Sequence, residues 1–269
     1  MRFRLTQICR AFGLTRQAFY KAQKQQTKRF MKNDKVVFET RLIRRSQPRV
    51  GGRKLHRMLT QRGIQIGRDH LFEILEKNKL LIKPIKNFRR TTNSYHRFRK
   101  HSNLIKNLTV NAPNQVFVSD ITYLDTVECS CYLTLITDLY SRKIVGWNVS
   151  RNLSVEASLK ALKMALVSVQ NPEGLIHHSD RGIQFCNPRY TAILERHGAR
   201  ISMTEENHVY ENAIAERVNG ILKTEFLLGE RLQSFEQAER LAAQSIKTYN
   251  EERLHLSLNY QTPAQCYAA

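Results

Sequence analysis

Apolar positions along the first eighty residues recur at helical spacing. In "LTQICRAFGLTRQAFYKAQKQ", Leu5, Ile8 and Phe12 fall three to four apart, Gly13 interrupts them, and Thr15 is placed to cap a second helix carrying Phe19 and Tyr20. This predicts a helix-turn-helix shape. A further apolar-periodic segment lies near 34–46, followed by a helix from about Gly52 to Gln61. After a turn through Gly63 and Gly67, a last helix is expected from about Asp69 to Lys79, with Leu71, Ile74 and Leu75 on one face. Residues 79–107 lack a sustained period and read as a basic linker, with Phe88, Tyr95 and Phe98 available to pack or stack.

From residue 115 the pattern changes. "QVFVSDITYLDTV", "CYLTLITDLY" and "KIVGWNVS" are β-branched and aromatic runs separated by turn residues, which predicts a three-strand meander. A helix at about Ser154 to Ser168 follows, opened by a Ser N-cap with Glu156 in its first turn. Then come a strand at 174–178, a helix near 188–197, a strand at 199–203, and helices at about 211–228 and 235–252. Three strands, helix, strand, helix, strand, helix fits a ribonuclease-H-like mixed α/β sheet with flanking helices, preceded by small all-α helix-turn-helix domains. The segments expected are 1–30 and 31–80 (helical, DNA-binding), 81–110 (linker) and 111–269 (catalytic core with a C-terminal helix).

Charge gives the helical half a partner. Of the net +21, residues 1–110 hold 29 Lys+Arg against 5 Asp+Glu, and residues 111–269 hold 15 against 18. So one-sided an excess points to a polyanion, most simply DNA, with Arg53, Lys54, Arg68, Arg89 and Arg90 as candidate contacts. The apolar runs are too short for a membrane helix and the N-terminus has no continuous apolar core, so no membrane partner and a cytoplasmic, nucleoid-associated protein are expected. Five cysteines form no repeating framework. Cys129 and Cys131 share a strand face, yet no second Cys or His pair stands at zinc spacing, so packing is the expected role.

Candidate chemistry rests on carboxylates. Asp120 stands inside "VFVSDITYL", a run that reads as a buried central strand, where an ionised group needs positive compensation. Asp180 ends another short strand. Glu216 lies on "ENAIAERVNGILKTEFL", where Asn212, Glu216, Asn219 and Lys223 form a polar stripe opposite Ile214, Val218, Ile221 and Leu222. Converging, the three acids could hold Mg²⁺, which prefers oxygen ligands, and a pair of such ions would clamp an in-line phosphoryl transfer. His177 and His178 alternate along their strand, so at most one faces such a site. Arg181 and Gln184 are candidate DNA contacts or loop anchors.

Between Asp180 and Glu216 lie 35 residues, and Lys223 follows the glutamate by seven. This resembles the DDE pattern of retroviral-type integrases and insertion-sequence transposases. "SDITYL", "HHSDRGIQF", "ISMT" and "YNEERLHLSLNYQTPAQ" are similar to the second open reading frame product, OrfB, of the IS-three family, over nearly the whole chain. The resemblance implies Mg²⁺-dependent cleavage at an element's terminal inverted repeats and strand transfer into target DNA. It makes Asp120, Asp180 and Glu216 the metal ligands of two ions, with Mn²⁺ able to substitute, and Lys223 a contact to the terminal phosphate; Asn212 joins Arg181 as a candidate DNA contact. It further implies a multimer on DNA and an OrfA partner or OrfA–OrfB fusion. The chain departs from the family with Asn207-His208-Val209 where Gly and Pro are frequent, Glu211 where Asp is, and Leu254 where Pro is. Two other readings compete: a non-catalytic DNA-binding regulator, and a tyrosine recombinase using Arg253, His255 and Tyr260, which stand too close together in the tail.

Overall fold

The computed structural model describes residues 4–83, 97–205 and 212–269. Two compact units emerge, one running to Arg45 and resuming over Val50–Lys83, the other made of Ser46–Arg49 and the remainder of the chain to Ala269.

In the first unit, α1 (Leu5–Ala11) and α2 (Arg16–Ser46) precede the pair α3 (Gly52–Gln61) and α4 (Arg68–Lys77). Thr15 does begin the second helix, its Oγ1 accepting from the Ala18 N–H at 3.1 Å. That helix then runs for 31 residues and absorbs the segment near 34–46, which the sequence reading took as separate. The reason is local: residues 21–33, "KAQKQQTKRFMKN", contain no Gly or Pro and consist mostly of good helix formers, so nothing ends the helix at residue 30. The Val36 and Ile43 side chains pack with Val50, Leu55, Leu59, Ile64, Leu71, Ile74 and Leu75 into this unit's core. Gly63, at φ +77°, makes the turn between α3 and α4.

The second unit is built on a five-stranded sheet in the order β3-β2-β1-β4-β5. β1 (Val116–Asp125), β2 (Ser130–Asp138) and β3 (Ile144–Ser150) form the antiparallel meander. β4 (Ile176–Ser179) pairs parallel to β1, and β5 (Arg200–Met203) parallel to β4. Alternation along β1 sends Phe117 to one face, against α5 (Val155–Val167) and α6 (Pro188–Arg196). It sends Val116, Val118 and Leu124 to the other, where α7 (Ala213–Glu225) and α8 (Phe235–Glu251) lie. α5 sits so close to β3 that a Cβ on Gly146 would stand 2.2 Å from the Ala161 carbonyl oxygen. The Ser154 hydroxyl caps α5 by accepting from Ala157 N–H, as its sequence suggested. A short helix, α9 (Pro263–Ala268), ends the chain. Among the described residues no helix is long and apolar enough to cross a membrane.

Candidate active site

Asp120 lies at the middle of the central strand, paired with Leu135 of β2, and shares with Val116 and Val118 the face that meets α7. Its Oδ1 accepts from the Ile121 N–H at 2.9 Å and its Oδ2 from Asn219 Nδ2 at 2.7 Å. Burial, together with the negative charge of Asp180 and to a lesser extent Glu216, pushes this carboxyl up to about 7, while the Asn219 and Ile121 donors pull the other way. One aspartate thus senses the other two acids.

The parallel register carries Asp180 there. β4 follows β1 from Val116 opposite Ile176 to Ser119 opposite Ser179, and Asp180 is the next residue. It turns the chain away from the sheet, Oδ1 accepting from Gly182 N–H at 3.0 Å. A Cβ on Gly182 would fall 2.9 Å from that oxygen, so a side chain there would push the Asp180 carboxylate out of this position. Glu216 projects from the first turn of α7 into an exposed position, and partial burial raises its carboxyl above the usual range. Among the described residues no three His, Cys, Asp or Glu side chains are already gathered into a ready-made metal site. The trio is electrostatically joined but not closed.

The histidines occupy opposite faces, as alternation required. The hydroxyls of Ser119 and Tyr190 converge on His177 Nε2 at 2.7 and 2.9 Å, and burial drives this imidazole down to about 3, so it is neutral at physiological pH. His178 Nδ1 meets Ser202 Oγ at 2.8 Å, and that oxygen also accepts from Leu104 N–H at 2.9 Å. Both rings are buried and tie strands together.

The residues read from sequence as DNA contacts divide sharply. Asn212 is buried and donates through Nδ2 to the Ser119 carbonyl oxygen at 3.0 Å, so its amide is turned into the fold. Arg181 donates through Nε to the Thr204 carbonyl oxygen at 2.7 Å, and buried Gln184 through Nε2 to the Leu153 carbonyl oxygen at 3.2 Å, so both anchor loops. Lys223 is half-buried on α7. In the helical unit Arg53 is exposed on α3, Lys54 is only 6% exposed, and Arg68 is paired with Asp69 at 2.8 Å. The burial of Lys54 along with Leu55 and Leu59 is something that charge counting alone does not register. The outer face of α4 carries Asp69, Glu73 and Glu76, whereas α3 exposes Arg53 and Arg57 and no acid. Arg89, Arg90, Phe88, Tyr95 and the loop at 207–211 lie outside the described residues.

Asn219, which the sequence places on the polar stripe without a role, binds Asp120 through its amide. In the tail, Arg253 is committed to Glu225 through two hydrogen bonds, at 2.9 and 2.7 Å, and His255 is buried with its ring edge-on to Tyr249. The Arg253 fork is thus taken up by Glu225 and is not offered to a phosphotyrosine site.

Comparison with known proteins shows the family. Two models, each described as an integrase core domain, match residues 110–208 and 197–263. The "Insertion element IS600 uncharacterized 31 kDa protein" of Shigella sonnei is 36% identical over 261 residues, covering 96% of each chain. The "Transposase InsF for insertion sequence IS3A" of Escherichia coli is 30% identical, covering 98% of this chain and 93% of that one. A chain of the simian T-cell lymphotropic virus intasome, solved in complex with a PP2A regulatory subunit, superposes with a TM-score of 0.51 at 17% identity, over 80% of this chain and 70% of its own, a likeness of fold. The mixed sheet, the matched integrase core and relatives of nearly equal length lead to one assignment: the chain belongs to the IS3-type transposases and is a DDE-type polynucleotidyl transferase.

Proposed function

We propose that Asp120, Asp180 and Glu216 are the catalytic carboxylates, and that they hold Mg²⁺, with Mn²⁺ able to substitute, for cleavage at the ends of an insertion element and strand transfer into target DNA. The supporting observation is the Asp120 carboxyl, pushed up to about 7 by burial and by its two acidic neighbours. The donors fit the ion: all are carboxylate oxygens, the class a small hard cation prefers, and their shared negative charge is what such a cation relieves. Two ions, when bound, supply Lewis acidity and charge neutralisation to an in-line phosphoryl transfer.

The protein's own contribution is placement. β1 and Asn219 fix Asp120, the Gly182 turn fixes Asp180, and α7 brings Glu216 across from the other side. No side-chain nucleophile is needed, because water attacks in cleavage and the released 3′-hydroxyl attacks in strand transfer. Lys223, seven residues beyond Glu216 on α7, contacts a phosphate near the cut end. Arg53 on α3 adds phosphate contacts in the segment 31–80, Arg68 can join it where Asp69 releases it, and Arg89 and Arg90 of the linker before the core at 111–269 are further phosphate contacts. Bringing two ends together requires a homo-multimer on DNA, and an OrfA partner or fusion completes end recognition. The protein works in the cytoplasm, at the nucleoid.

The test is cleavage of a labelled duplex carrying the element's end. Asp120→Asn, Asp180→Asn and Glu216→Gln each abolish Mg²⁺-dependent nicking and leave end binding intact. Nicking retained by any of the three overturns the assignment of that residue.

A further inference from the structure

We propose that Asn212 and Asn219 are a pair of positioning residues whose side-chain amides fasten α7 to β1 and thereby set the rotation at which Glu216 faces Asp120. The proposal rests on the assignment of Asp120 and Glu216 above and adds to it two residues that touch neither substrate nor ion.

Asn212 occupies the N-cap of α7, where an asparagine ordinarily accepts a hydrogen bond from its own helix. Here it makes no such bond. Its Nδ2 reaches across to the Ser119 carbonyl oxygen, on the strand residue opposite Ser179, where the parallel ladder with β4 stops. The helix forgoes a cap and gains a tether. Asn219, two turns along, donates through Nδ2 to Asp120 Oδ2 at 2.7 Å, a short bond to a carboxylate. Each asparagine is 4% exposed, so neither is available to a ligand from solution.

Spacing gives the pair its purpose. Residues 212, 216 and 219 follow the i, i+4, i+7 pattern of one helical face, with Glu216 between the two asparagines. Their targets, Ser119 and Asp120, are consecutive on β1. Two directional bonds to adjacent strand positions fix both the rotation of α7 about its axis and its sliding along the strand, which one bond could not do. Near Glu216 the other attachments of α7, through Ala215 and Val218, are apolar and non-directional and hold the helix without setting its angle there, while the grip of Arg253 on Glu225 acts at the far end of the helix. With the carboxylate about 6 Å from the helix axis, a rotation of roughly 20° displaces it by about 2 Å, comparable to a metal–oxygen bond.

The experiment uses the full chain and Mn²⁺ alone as probe, with affinity read from the free-ion electron paramagnetic resonance signal, alongside end-duplex binding, cleavage and thermal unfolding. Asn212→Ala and Asn219→Ala are expected each to weaken Mn²⁺ binding and cleavage by about 10–100-fold, with end binding and cooperative unfolding retained. Asn219→Ser and Asn212→Asp serve as variants of nearer shape: the serine keeps a donor and restores part of the affinity, whereas the aspartate lacks the donor and does not. Unchanged Mn²⁺ affinity in the alanine variants, or losses that merely track the unfolded fraction in all four, overturns the proposal. Asp120→Asn separates the two ideas. If it still cleaves, the active-site assignment fails; if it is inactive while the alanine variants behave as wild type, only the positioning role fails.

Discussion

The guanidinium of Arg253 grips both carboxylate oxygens of Glu225, Nε to Oε2 at 2.9 Å and Nη2 to Oε1 at 2.7 Å, joining the end of α7 to the tail beyond α8. Arg253 is almost wholly buried and Glu225 about a quarter exposed, so removing either leaves a largely desolvated charge. Arg253→Ala is expected to cost about 3 kcal/mol in urea unfolding, and Arg253→Lys to recover little of it, because an ammonium cannot satisfy a two-point fork. The same grip removes Arg253 from any recombinase-like role, so Tyr260→Phe is expected to cleave as well as wild type and to trap no protein–DNA adduct.

Asp120 carries a folding cost in its ionised form. Its folded carboxyl lies near 7 against an ordinary 3.8, so the folded chain holds a proton that the unfolded chain has released between those values. The stability it contributes is full below about pH 4, declines as pH rises through the window, and stays lost above about 7. Asp120→Asn removes this penalty. In chelator, the variant is expected to exceed wild type by on the order of 2 kcal/mol at pH 8 and to match it near pH 4. Urea titrations at the two pH values decide it, and a variant less stable at pH 8 would contradict the electrostatic account.

The cluster of Ser119, His177 and Tyr190 is structural. Because the folded imidazole is depressed to about 3 from an ordinary 6.5, its contribution is intact above pH 6.5 and is lost as pH falls from there toward 3. Tyr190→Phe is expected to lower stability by about 1 kcal/mol and to leave the pH profile of cleavage between 6 and 9 unmoved. A shifted profile would bring His177 back into the chemistry.

In the helical unit the exposed arginines of α3, not the acid-bearing face of α4, are expected to meet phosphate. Arg53→Ala should reduce the slope of log K against log salt for an end duplex by about 0.9, and buried Lys54→Ala should leave it unchanged. Arg68→Ala falls between, since its partner Asp69 already holds it. Anisotropy titrations over a salt series give all three slopes.

Much of this was legible in the sequence. The meander declared itself through β-branched runs, α5 through Ser154, and the acids through the interval from Asp180 to Glu216. Three features were not, each for a physical reason. Helix α2 has no breaker to mark where a reader expects one, so its length had to be seen. Lys54 looks like any other basic residue until its helix is oriented, because a long stem can bury along apolar neighbours. Asn212 shares a stripe with Glu216, and a stripe states which residues point the same way without saying whether strand or solvent awaits them. The stripe therefore does not disclose that the Asn212 amide bonds the Ser119 carbonyl oxygen or that the Asn219 amide bonds Asp120.

The central position of β1 also sorts the three acids by how easily the molecule can let them go. Asp120 sits in a strand laddered on both sides, and Asp180 follows the strand paired to it, so both belong to the part of the sheet that opens last. Glu216 rides at the start of a helix that two amides tie directionally to β1. Fraying that one end withdraws a single carboxylate while the sheet stays whole. With Glu216 in the proposed catalytic role, activity is expected to be lost reversibly on gentle warming, before the sheet denatures.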